Sequence, residues 1–528
     1  MKKETRKKIL LLLIGTVITA NALYWCVRKE GYYIDELWSY GLSNGYHTPF
    51  LHQAEGYMNN WHQPVFYWDY LTIQPDERFS FESVCYNQTQ DVHPPFYYAL
   101  LNTVCSLFPG RFSKWFGLSI NLFFFGGSLI LLYQISGFFF GKTSNARIIP
   151  VLLYGLSAGA LSTLLYIRMY MMLTFWSLLF VCLVFHLLRE TICQKRRFLL
   201  VQIGLSVMAG FMTQYYFVLF AFFFSACYVV FHLLGRQWKK ALEYAVTACT
   251  GIIGGILVFP ASLQHIFLGY QGKGALHHAA DGIPFFLERW PQYHDVLTKA
   301  FLGSGAGKHV LFLTILCLFP AGVILFIKKG NQSAYPDFPL TECLMLLVSV
   351  LCYFAVIVQI SPEVTDRYLF LLYPFCVLLA VTAALYLFRY LQTERFLWIA
   401  AACCLACLLR ANAVQSNPYV YHGYQEVLTR LGTEYKDAPG IYVTAGDHLL
   451  INNCLFLAQQ NRTYSLTLEQ LNELFEICKE NETGQIILYV DIYYDEAQTA
   501  MRAAELLDYR SCSLLYDNTF TQIYLLSR

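Results

Sequence analysis

Two acidic side chains stand side by side shortly after the first long apolar run of the chain. Asp35 and Glu36 occur within Gly-Tyr-Tyr-Ile-Asp-Glu-Leu-Trp-Ser, residues 31–39. Two carboxyl groups so close shift each other's pKa, which suits one of them for abstracting a proton. Carboxylates a few residues beyond a membrane are costly unless they are solvated, paired or bound to a cation. The pair is therefore either a general base with its neighbour or an acidic turn at a membrane surface.

A second polar motif, Asp91-Val92-His93-Pro94-Pro95, stands directly before another apolar segment. Because a residue that precedes proline is restricted to extended backbone, the two prolines give this segment a fixed direction. A histidine held there can bind a phosphate or another anionic group, and an aspartate can orient it. The alternative is a proline-stiffened anchor at the membrane interface whose polar residues are incidental.

The elements that must position these residues follow from an unusually apolar composition. The 528 residues are 56% hydrophobic and only 14% charged, and the mean hydropathy is +0.42. Soluble domains contain roughly 25% charged residues, so one water-soluble globule is excluded. The net charge of +2 provides no basic face, and we expect no nucleic-acid partner. The composition indicates a polytopic α-helical membrane protein.

The first apolar run follows a basic amino terminus and continues to Val27. It reaches about the 20 residues that a bilayer requires, which favours an uncleaved span over a signal peptide cleaved after Ala22. Ten further apolar runs predict ten more helices, which gives eleven spans. These runs cover residues 116–140, 149–166, 169–188, 198–213, 216–235, 241–262, 309–328, 339–360, 368–388 and 396–412.

The basic connectors predict the orientation, because Lys and Arg concentrate on the cytoplasmic side. All five basic connectors lie on the cytoplasmic side if residues 93–110 stay at the outer interface without crossing the membrane. If residues 93–110 do cross, the number of spans becomes twelve. The amino terminus is then cytoplasmic, and residues 28–115, residues 263–308 and the carboxyl-terminal tail are extracytoplasmic. The five connectors are residues 141–147, 189–197, 235–240, 327–330 and 388–395.

The chain divides into two predicted domains. Residues 1–412 form the transmembrane domain, including the long first outer loop at 28–115. Residues 413–528 regain the charge content of a soluble protein. Within them, GIYVTAG and GQIILYVDIYY are strand-like, LTLEQLNELFEICKE is helix-like, and a strand-like segment closes the chain. This alternation predicts a small extracytoplasmic α/β domain.

Two further sets of residues offer weaker chemistry. The histidines of the second outer loop match no zinc-binding spacing, so no metal site is predicted from His265, His277, His278 and His294. Four cysteines in polar stretches could form disulfides if they face an oxidising compartment; these are Cys85, Cys454, Cys478 and Cys512.

The combination of the two polar motifs resembles the GT-C glycosyltransferases. It is most similar to bacterial family-39-type members, relatives of protein O-mannosyltransferases and of the lipid A aminoarabinose transferase. Three later segments also fit, and the similarity covers about residues 1–410. They are the R-x-Y of residues 166–170, the T-H-Y-Y-F-like segment 213–217, with Gln214 where His is frequent, and the R-Y-L of residues 361–369.

The resemblance implies an inverting enzyme that transfers a sugar from a polyprenyl-phosphate donor to a lipid, glycan or protein acceptor of the cell envelope. Asp35 would be the general base, and Glu36 would position Asp35 or the acceptor. Arginine forks suit the departing phosphate. The implied substrate-binding residues are Asp91, His93, Arg168, Tyr170, Gln214, Arg367 and Tyr368. Family members differ in needing a divalent cation, so that cofactor stays open; membrane lipids are further partners.

Two other functions compete with this interpretation. A transporter or flippase of lipid-linked sugars is the first, but transporters place ionisable groups or broken helices near the bilayer midplane. Here the predicted span interiors carry almost no charge, and the polar groups gather on one predicted side. The second is an inactive scaffold whose outer tail binds envelope partners. Replacement of Asp35 distinguishes an enzyme from both.

Overall fold

The computed structural model describes residues 3–302, 339–390, 393, 395–414, 417–479 and 484–528. By their internal contacts the residues divide into two compact units. The first, called the membrane unit, comprises Met1–Arg28, Val92–Tyr97 and Leu118–Pro418. The second, called the sheet unit, comprises Lys29–Asp91, Tyr98–Gly117 and Tyr419–Arg528.

The membrane unit is built from long apolar helices, which confirms the predicted polytopic helical class. Eight helices in the described residues are long and apolar enough to cross a bilayer, and a ninth span results if one bent pair counts as one. The eight are Lys8–Arg28, Lys114–Phe140, Tyr170–Arg189, Tyr216–Leu234, Trp238–Val258, Leu340–Ile360, Asp366–Arg389 and Arg395–Ala413. The bent pair is Asn145–Gly155 and Ala158–Leu165, at 58°.

Ten of the eleven predicted runs coincide with helices. The eight spans and the bent pair account for nine, and the helix Cys193–Thr213 for the tenth; it has 21 residues but begins with a basic segment. The run at 309–328 lies outside the described residues, so the count of eleven stays a prediction.

Residues 93–110 contain a helix too short to cross a bilayer. It runs from Phe96 to Ser106, and its 11 residues extend about 16 Å against a hydrocarbon core of roughly 30 Å. This length agrees with the eleven-span alternative. The second predicted outer loop is also helical, with Ala261–Phe267, Tyr270–Ala280 and Gly282–Leu302.

The sheet unit contains the predicted small α/β fold. Six strands are ordered β1-β3-β2-β4-β6-β5, with β2 parallel to β3 and β4 and the remaining pairs antiparallel. The strands are β1 Trp61–His62, β2 Gly440–Val443, β3 Thr463–Leu466, β4 Gln485–Asp491, β5 Ser511–Asp517 and β6 Thr521–Ser527. The helices are Ile34–Asn44, Pro64–Leu71, Phe81–Gln90, Tyr424–Thr433, Leu450–Leu457, Leu474–Ile477 and Glu496–Leu506.

The first outer loop contributes a strand to the sheet of the tail. Trp61 pairs with Tyr464 and His62 with Thr463, and the Tyr67 hydroxyl lies 2.6 Å from the Thr463 hydroxyl. By contacts, residues 29–91 therefore group with the tail, whereas the sequence-based division placed them with the transmembrane domain. The boundary at residue 413 stays a prediction.

Two details of the tail differ from expectation. The segment 466–480 is not one long helix, because Leu466 is the last residue of β3; a 3₁₀ turn follows, and only Leu474–Ile477 is α-helical. The four candidate cysteines are free, and Cys454 is buried with its thiol directed at the Leu450 carbonyl oxygen, 3.5 Å away. The core between sheet and helices is aliphatic, with Val443, Leu488 and Ala503 fully buried.

Candidate active site

Asp35 lies in the first turn of the helix Ile34–Asn44. Nine of the eleven residues of this helix are buried, whereas Asp35 is half-exposed. Ser39 donates a hydrogen bond to the Asp35 carbonyl oxygen (3.1 Å). The helix therefore holds a partly exposed carboxylate on a mostly buried element.

Glu36 points into the interior of the sheet unit, where it pairs with Lys29. The Lys29 ammonium lies 3.0 and 3.1 Å from the two Glu36 oxygens, and both side chains are fully buried. Lys29 also donates to the carbonyl oxygen of Tyr419 (2.9 Å), and Glu36 accepts from the Tyr33 N–H (2.7 Å). Buried charges persist only when paired and hydrogen-bonded. The pair fixes the start of the Asp35 helix against the beginning of the tail.

Sequence reasoning gave no role to Lys29. The available signal was its position immediately beyond the first apolar run, followed after seven residues by Glu36. A lysine at a membrane exit is ordinarily interpreted as a surface anchor. Only the tertiary structure shows that it is buried.

The D-x-H-P-P motif divides between the two units. Asp91 follows the helix Phe81–Gln90, is half-buried and is the last residue of its stretch of the sheet unit. His93 and Pro94 are buried and belong to the membrane unit. The motif thus continues from one unit into the other along the chain.

His93 contacts Arg168 within the membrane unit. The distance from the Arg168 Nη2 to the His93 Nε2 is 3.3 Å, and both side chains are buried. Since a guanidinium only donates hydrogen bonds, this contact requires Nε2 to be the acceptor.

Arg168 occupies a break between two helices, Ala158–Leu165 and Tyr170–Arg189. Such a break leaves carbonyl oxygens without helical partners. The buried side chain of Asn121 supplies the missing donor: its amide group donates hydrogen bonds to the carbonyl oxygens of Leu164 (2.9 Å) and Tyr166 (2.8 Å). The break is therefore a stabilised feature that places Arg168.

Arg367 lies beside the same break. It belongs to the 3₁₀ turn Asp366–Leu372 and donates to the hydroxyl of Tyr166 (3.2 Å) and, more weakly, to that of Tyr368 (3.4 Å). It also pairs with Glu363. Tyr170 stacks on Tyr166, with ring centroids 5.8 Å apart. The structure thus brings four predicted residues together; they are Arg168, Tyr170, Arg367 and Tyr368.

A third arginine near this turn was not assigned a role from sequence. Arg289, on the helix Gly282–Leu302, is buried and donates to the Ser361 hydroxyl (2.9 Å). The Tyr293 hydroxyl lies 2.5 Å from the same oxygen and donates to the Glu363 carbonyl oxygen (2.7 Å). Burial raises the pKa of Tyr293 to about 12, so it stays a donor. The sequence held one indication of Arg289: it stands in the segment Glu-Arg-Trp-Pro, residues 288–291, of the predicted second outer loop.

Gln214, which the sequence predicted to bind substrate, makes a hydrogen bond with the next residue of the chain. It follows the helix Cys193–Thr213, is buried, and accepts a hydrogen bond from the Tyr215 N–H (2.7 Å). The Tyr215 hydroxyl in turn lies 3.0 Å from His265 Nδ1. Gln214 therefore shapes the turn between two spans, and its contact with substrate stays a prediction.

Two of the loop histidines do approach a carboxylate. Asp281 lies 3.6 Å from His277 and 2.9 Å from His278, and the three could present ligand atoms within 4.8 Å of one another. Two imidazoles and a carboxylate suit a divalent transition metal. In the described part of the chain this is the one such group of three, and it includes neither Asp35 nor Asp91.

Comparison with known proteins identifies the fold. No protein-family model and no curated protein matches the sequence. ArnT from Cupriavidus metallidurans bound to undecaprenyl phosphate matches over 97% of both chains, with 11% identity and a TM-score of 0.52. Its apo structure matches over 99% of this chain and 98% of that one, with 10% identity and a TM-score of 0.50. An Archaeoglobus fulgidus oligosaccharyltransferase gives 14% identity, 93% and 69% coverage, and a TM-score of 0.48.

The chain shares the fold of ArnT over nearly the full length of both chains. This fold agrees with the resemblance to GT-C glycosyltransferases that its motifs predicted. At 10–11% identity, the likeness concerns the fold.

Proposed function

We propose that this protein is a membrane glycosyltransferase that takes a sugar from a polyprenyl-phosphate carrier and transfers it, with inversion, to a cell-envelope acceptor on the outer face. One observation carries the proposal: Arg168 and Arg367 lie at helix ends of an apolar helical unit, and Arg289 reaches Ser361 at the end of the helix Leu340–Ile360. Arg367 also pairs with the Glu363 carboxylate. Such positive charge suits a lipid phosphate.

The donor class is supported by chemistry and by likeness of fold. A lipid phosphate keeps its tail in the bilayer and needs no nucleotide site, and the sequence contains no Walker or Rossmann glycine motif. ArnT, which shares the fold, was solved bound to undecaprenyl phosphate. We therefore assign the arginine cluster to the donor phosphate.

In the proposed reaction, the Asp35 carboxylate takes the proton of an acceptor hydroxyl. The resulting oxygen attacks the anomeric carbon, a C–O bond forms, and the bond from that carbon to the phosphate oxygen breaks with inversion. The electron pair leaves with the phosphate, where Arg168 and Arg367 stabilise the developing charge. Arg289 adds a third donor.

The remaining predicted residues take supporting roles. His93, which contacts Arg168, remains a proposed substrate-binding residue beside the arginine cluster. Glu36, paired with Lys29, positions the Asp35 helix and does not contact the acceptor. Asp91, Tyr170, Gln214 and Tyr368 remain proposed substrate-binding residues. The amino terminus would be cytoplasmic, and the site and tail extracytoplasmic.

The decisive variant is Asp35→Asn, which retains size and hydrogen bonding but removes the proton acceptor. We expect donor binding to survive while single-turnover transfer falls roughly 10²–10⁴-fold, the usual worth of general-base assistance. Asp76→Asn, an exposed aspartate of the same loop, is the control and should transfer normally.

The donor is identified first, by mass spectrometry of lipids that co-purify with the full-length protein. A polyprenyl-phosphate sugar is expected. Turnover with a nucleotide sugar and no lipid carrier would contradict the mechanism. Full transfer by Asp35→Asn would exclude Asp35 as the base. Absence of transfer by the wild type, when it is supplied with a polyprenyl-phosphate sugar and an acceptor, would favour a transporter.

A further inference from the structure

The helix that holds Asp35 exposes one other side chain. Asp35 and Trp38 are its two residues that are not buried. Residues three apart lie on the same face of a helix. A molecule whose hydroxyl reaches the Asp35 carboxylate therefore lies next to the Trp38 indole.

Trp38 belongs to a group of three partly exposed rings, which we call the aromatic patch: Trp38, Phe50 and His52. The Trp38 ring meets Phe50 edge-on at 5.3 Å and His52 edge-on at 6.2 Å, and Phe50 lies 5.6 Å from His52. Edge-to-face contacts hold aromatic rings in defined orientations. The patch is thus an ordered surface that the proposed general base adjoins.

The tail extends the aromatic patch. The turn Leu51–Gln53, which carries His52, packs against the tail helix Leu450–Leu457, and so does the Asp35 helix. Immediately before that tail helix stand Asp447 and His448, whose side chains are 3.5 Å apart and partly exposed. The loop between β2 and this helix therefore reaches the patch.

The chemistry of this surface is that of a saccharide site. Burial lowers the pKa of His52, nearby His448 lowers it further, and Asp447 acts in the opposite direction. At neutral pH His52 is therefore neutral and both donates and accepts hydrogen bonds. The C–H face of a pyranose can stack on the indole while its hydroxyls bond to imidazoles and the Asp447 carboxylate. A phosphate group would be repelled by that carboxylate.

We propose that Trp38, Phe50, His52, Asp447 and His448 bind a sugar unit of the acceptor, next to the hydroxyl that Asp35 deprotonates. The proposal rests on the proposed function and specifies its acceptor: a glycan or glycolipid rather than an unglycosylated peptide. It also gives the tail a function, because the loop after β2 supplies two of the five side chains.

The test uses the full-length protein in detergent and a panel of methyl glycosides of glucose, galactose, mannose and N-acetylglucosamine. Saturation-transfer difference NMR should detect binding of at least one of them to the wild type. Trp38→Ala and His448→Ala should weaken that binding about tenfold, as expected for loss of a stacking or hydrogen-bonding partner. Trp38→Phe should retain part of it.

Trp61→Ala is the matched control, since Trp61 is a partly exposed tryptophan of the same loop that packs on Tyr464 in the sheet. It should bind the glycoside as the wild type does. Absence of saturation transfer to every glycoside would overturn the proposal, as would equal loss in Trp61→Ala and Trp38→Ala. Thermal unfolding of each variant separates misfolding from loss of binding.

Failure here and failure of the proposed function give different results. Asp35→Asn should keep glycoside binding and lose transfer. If transfer depends on Asp35 but Trp38→Ala leaves the KM for the acceptor unchanged, the saccharide site is wrong and the enzyme assignment stands. If glycosides bind to the aromatic patch but no donor lipid is found, the saccharide site stands and the assignment of a polyprenyl-phosphate donor is wrong.

Discussion

At the scale of single residues, the guanidinium groups of the membrane unit are held by neutral partners as well as by a carboxylate. Arg168 contacts the imidazole of His93, and Arg367 contacts the hydroxyl of Tyr166. A guanidinium is always charged in a protein, and its planar fork can donate two parallel hydrogen bonds to a phosphate.

We therefore expect Arg168→Ala to weaken binding of the polyprenyl-phosphate sugar about 10–100-fold, the worth of one or two charge-assisted hydrogen bonds. Arg168→Lys should recover only part of the affinity, because a point charge replaces a fork. Affinity is measured by titrating the purified donor lipid into detergent-solubilised protein. Arg197→Ala, an exposed arginine of a basic connector, serves as control.

His93 and Arg168 should not act independently. Because they touch, the effects of His93→Ala and Arg168→Ala on donor affinity should combine to less than their sum. Strict additivity in a double-mutant cycle would show that the contact has no bearing on donor binding.

At the scale of elements, the Lys29–Glu36 pair holds the start of the Asp35 helix. Removing one partner of a buried pair leaves an uncompensated charge and costs about 3–5 kcal/mol. Lys29→Met and Glu36→Gln should each lower the thermal unfolding temperature, and the double variant Lys29→Met/Glu36→Leu should lose less than the two singles together. Transfer should fall in each single variant while donor affinity is kept.

An exposed ion pair provides the comparison for this element. Arg430 and Glu434 lie 3.5 Å apart, with side chains 39% and 55% exposed, and such pairs contribute roughly 0–1 kcal/mol. Arg430→Met should therefore leave the unfolding temperature nearly unchanged. An equal effect of Lys29→Met and Arg430→Met would contradict the buried, organising role given to Lys29.

The end of β4 carries a second buried carboxylate, Asp491, which accepts hydrogen bonds from Tyr442 (2.5 Å) and Thr521 (3.2 Å). Burial raises its pKa from 3.8 to about 6, against these hydrogen bonds. The folded state then binds more protons than the unfolded state between pH 4 and 6. This contribution to stability is fully present below pH 4 and is lost as the pH rises through 6, about 3 kcal/mol in all.

Asp491→Asn should remove that dependence. The variant should gain stability over the wild type as the pH rises from 4 to 7, as followed by the fluorescence-detected unfolding temperature. The exposed Asp508→Asn should run parallel to the wild type over the same range. A constant difference between Asp491→Asn and the wild type across these pH values would show that Asp491 titrates normally.

At the scale of the whole molecule, the orientation of the chain is the property to measure. The basic connectors predict that a reporter fused after Arg528 is extracytoplasmic and that one inserted at 189–197 is cytoplasmic. Paired alkaline phosphatase and green fluorescent protein fusions report the two sides. A cytoplasmic carboxyl terminus would overturn the eleven-span arrangement and remove the tail from the proposed acceptor side.

The sequence alone determined the class of fold. Apolar runs long enough for a bilayer are a local property of the chain, so ten of eleven predicted runs coincide with described helices. The alternating pattern of the tail likewise identified its β2 and β4 strands. The similarity of two short motifs predicted this fold, although no family model matches the sequence.

Only the tertiary structure decided which polar residues are buried and with which partners. Glu36 looked equivalent to Asp35 in sequence, but helical periodicity turns one side chain to the surface and the other toward Lys29. The arginine site also includes Arg289, Tyr166 and Asn121. Their contacts link residues that are 43 to 201 positions apart in the sequence. The first outer loop entered the tail's sheet through β1. Such long-range pairings depend on the packing of whole elements, which no local pattern of residues encodes.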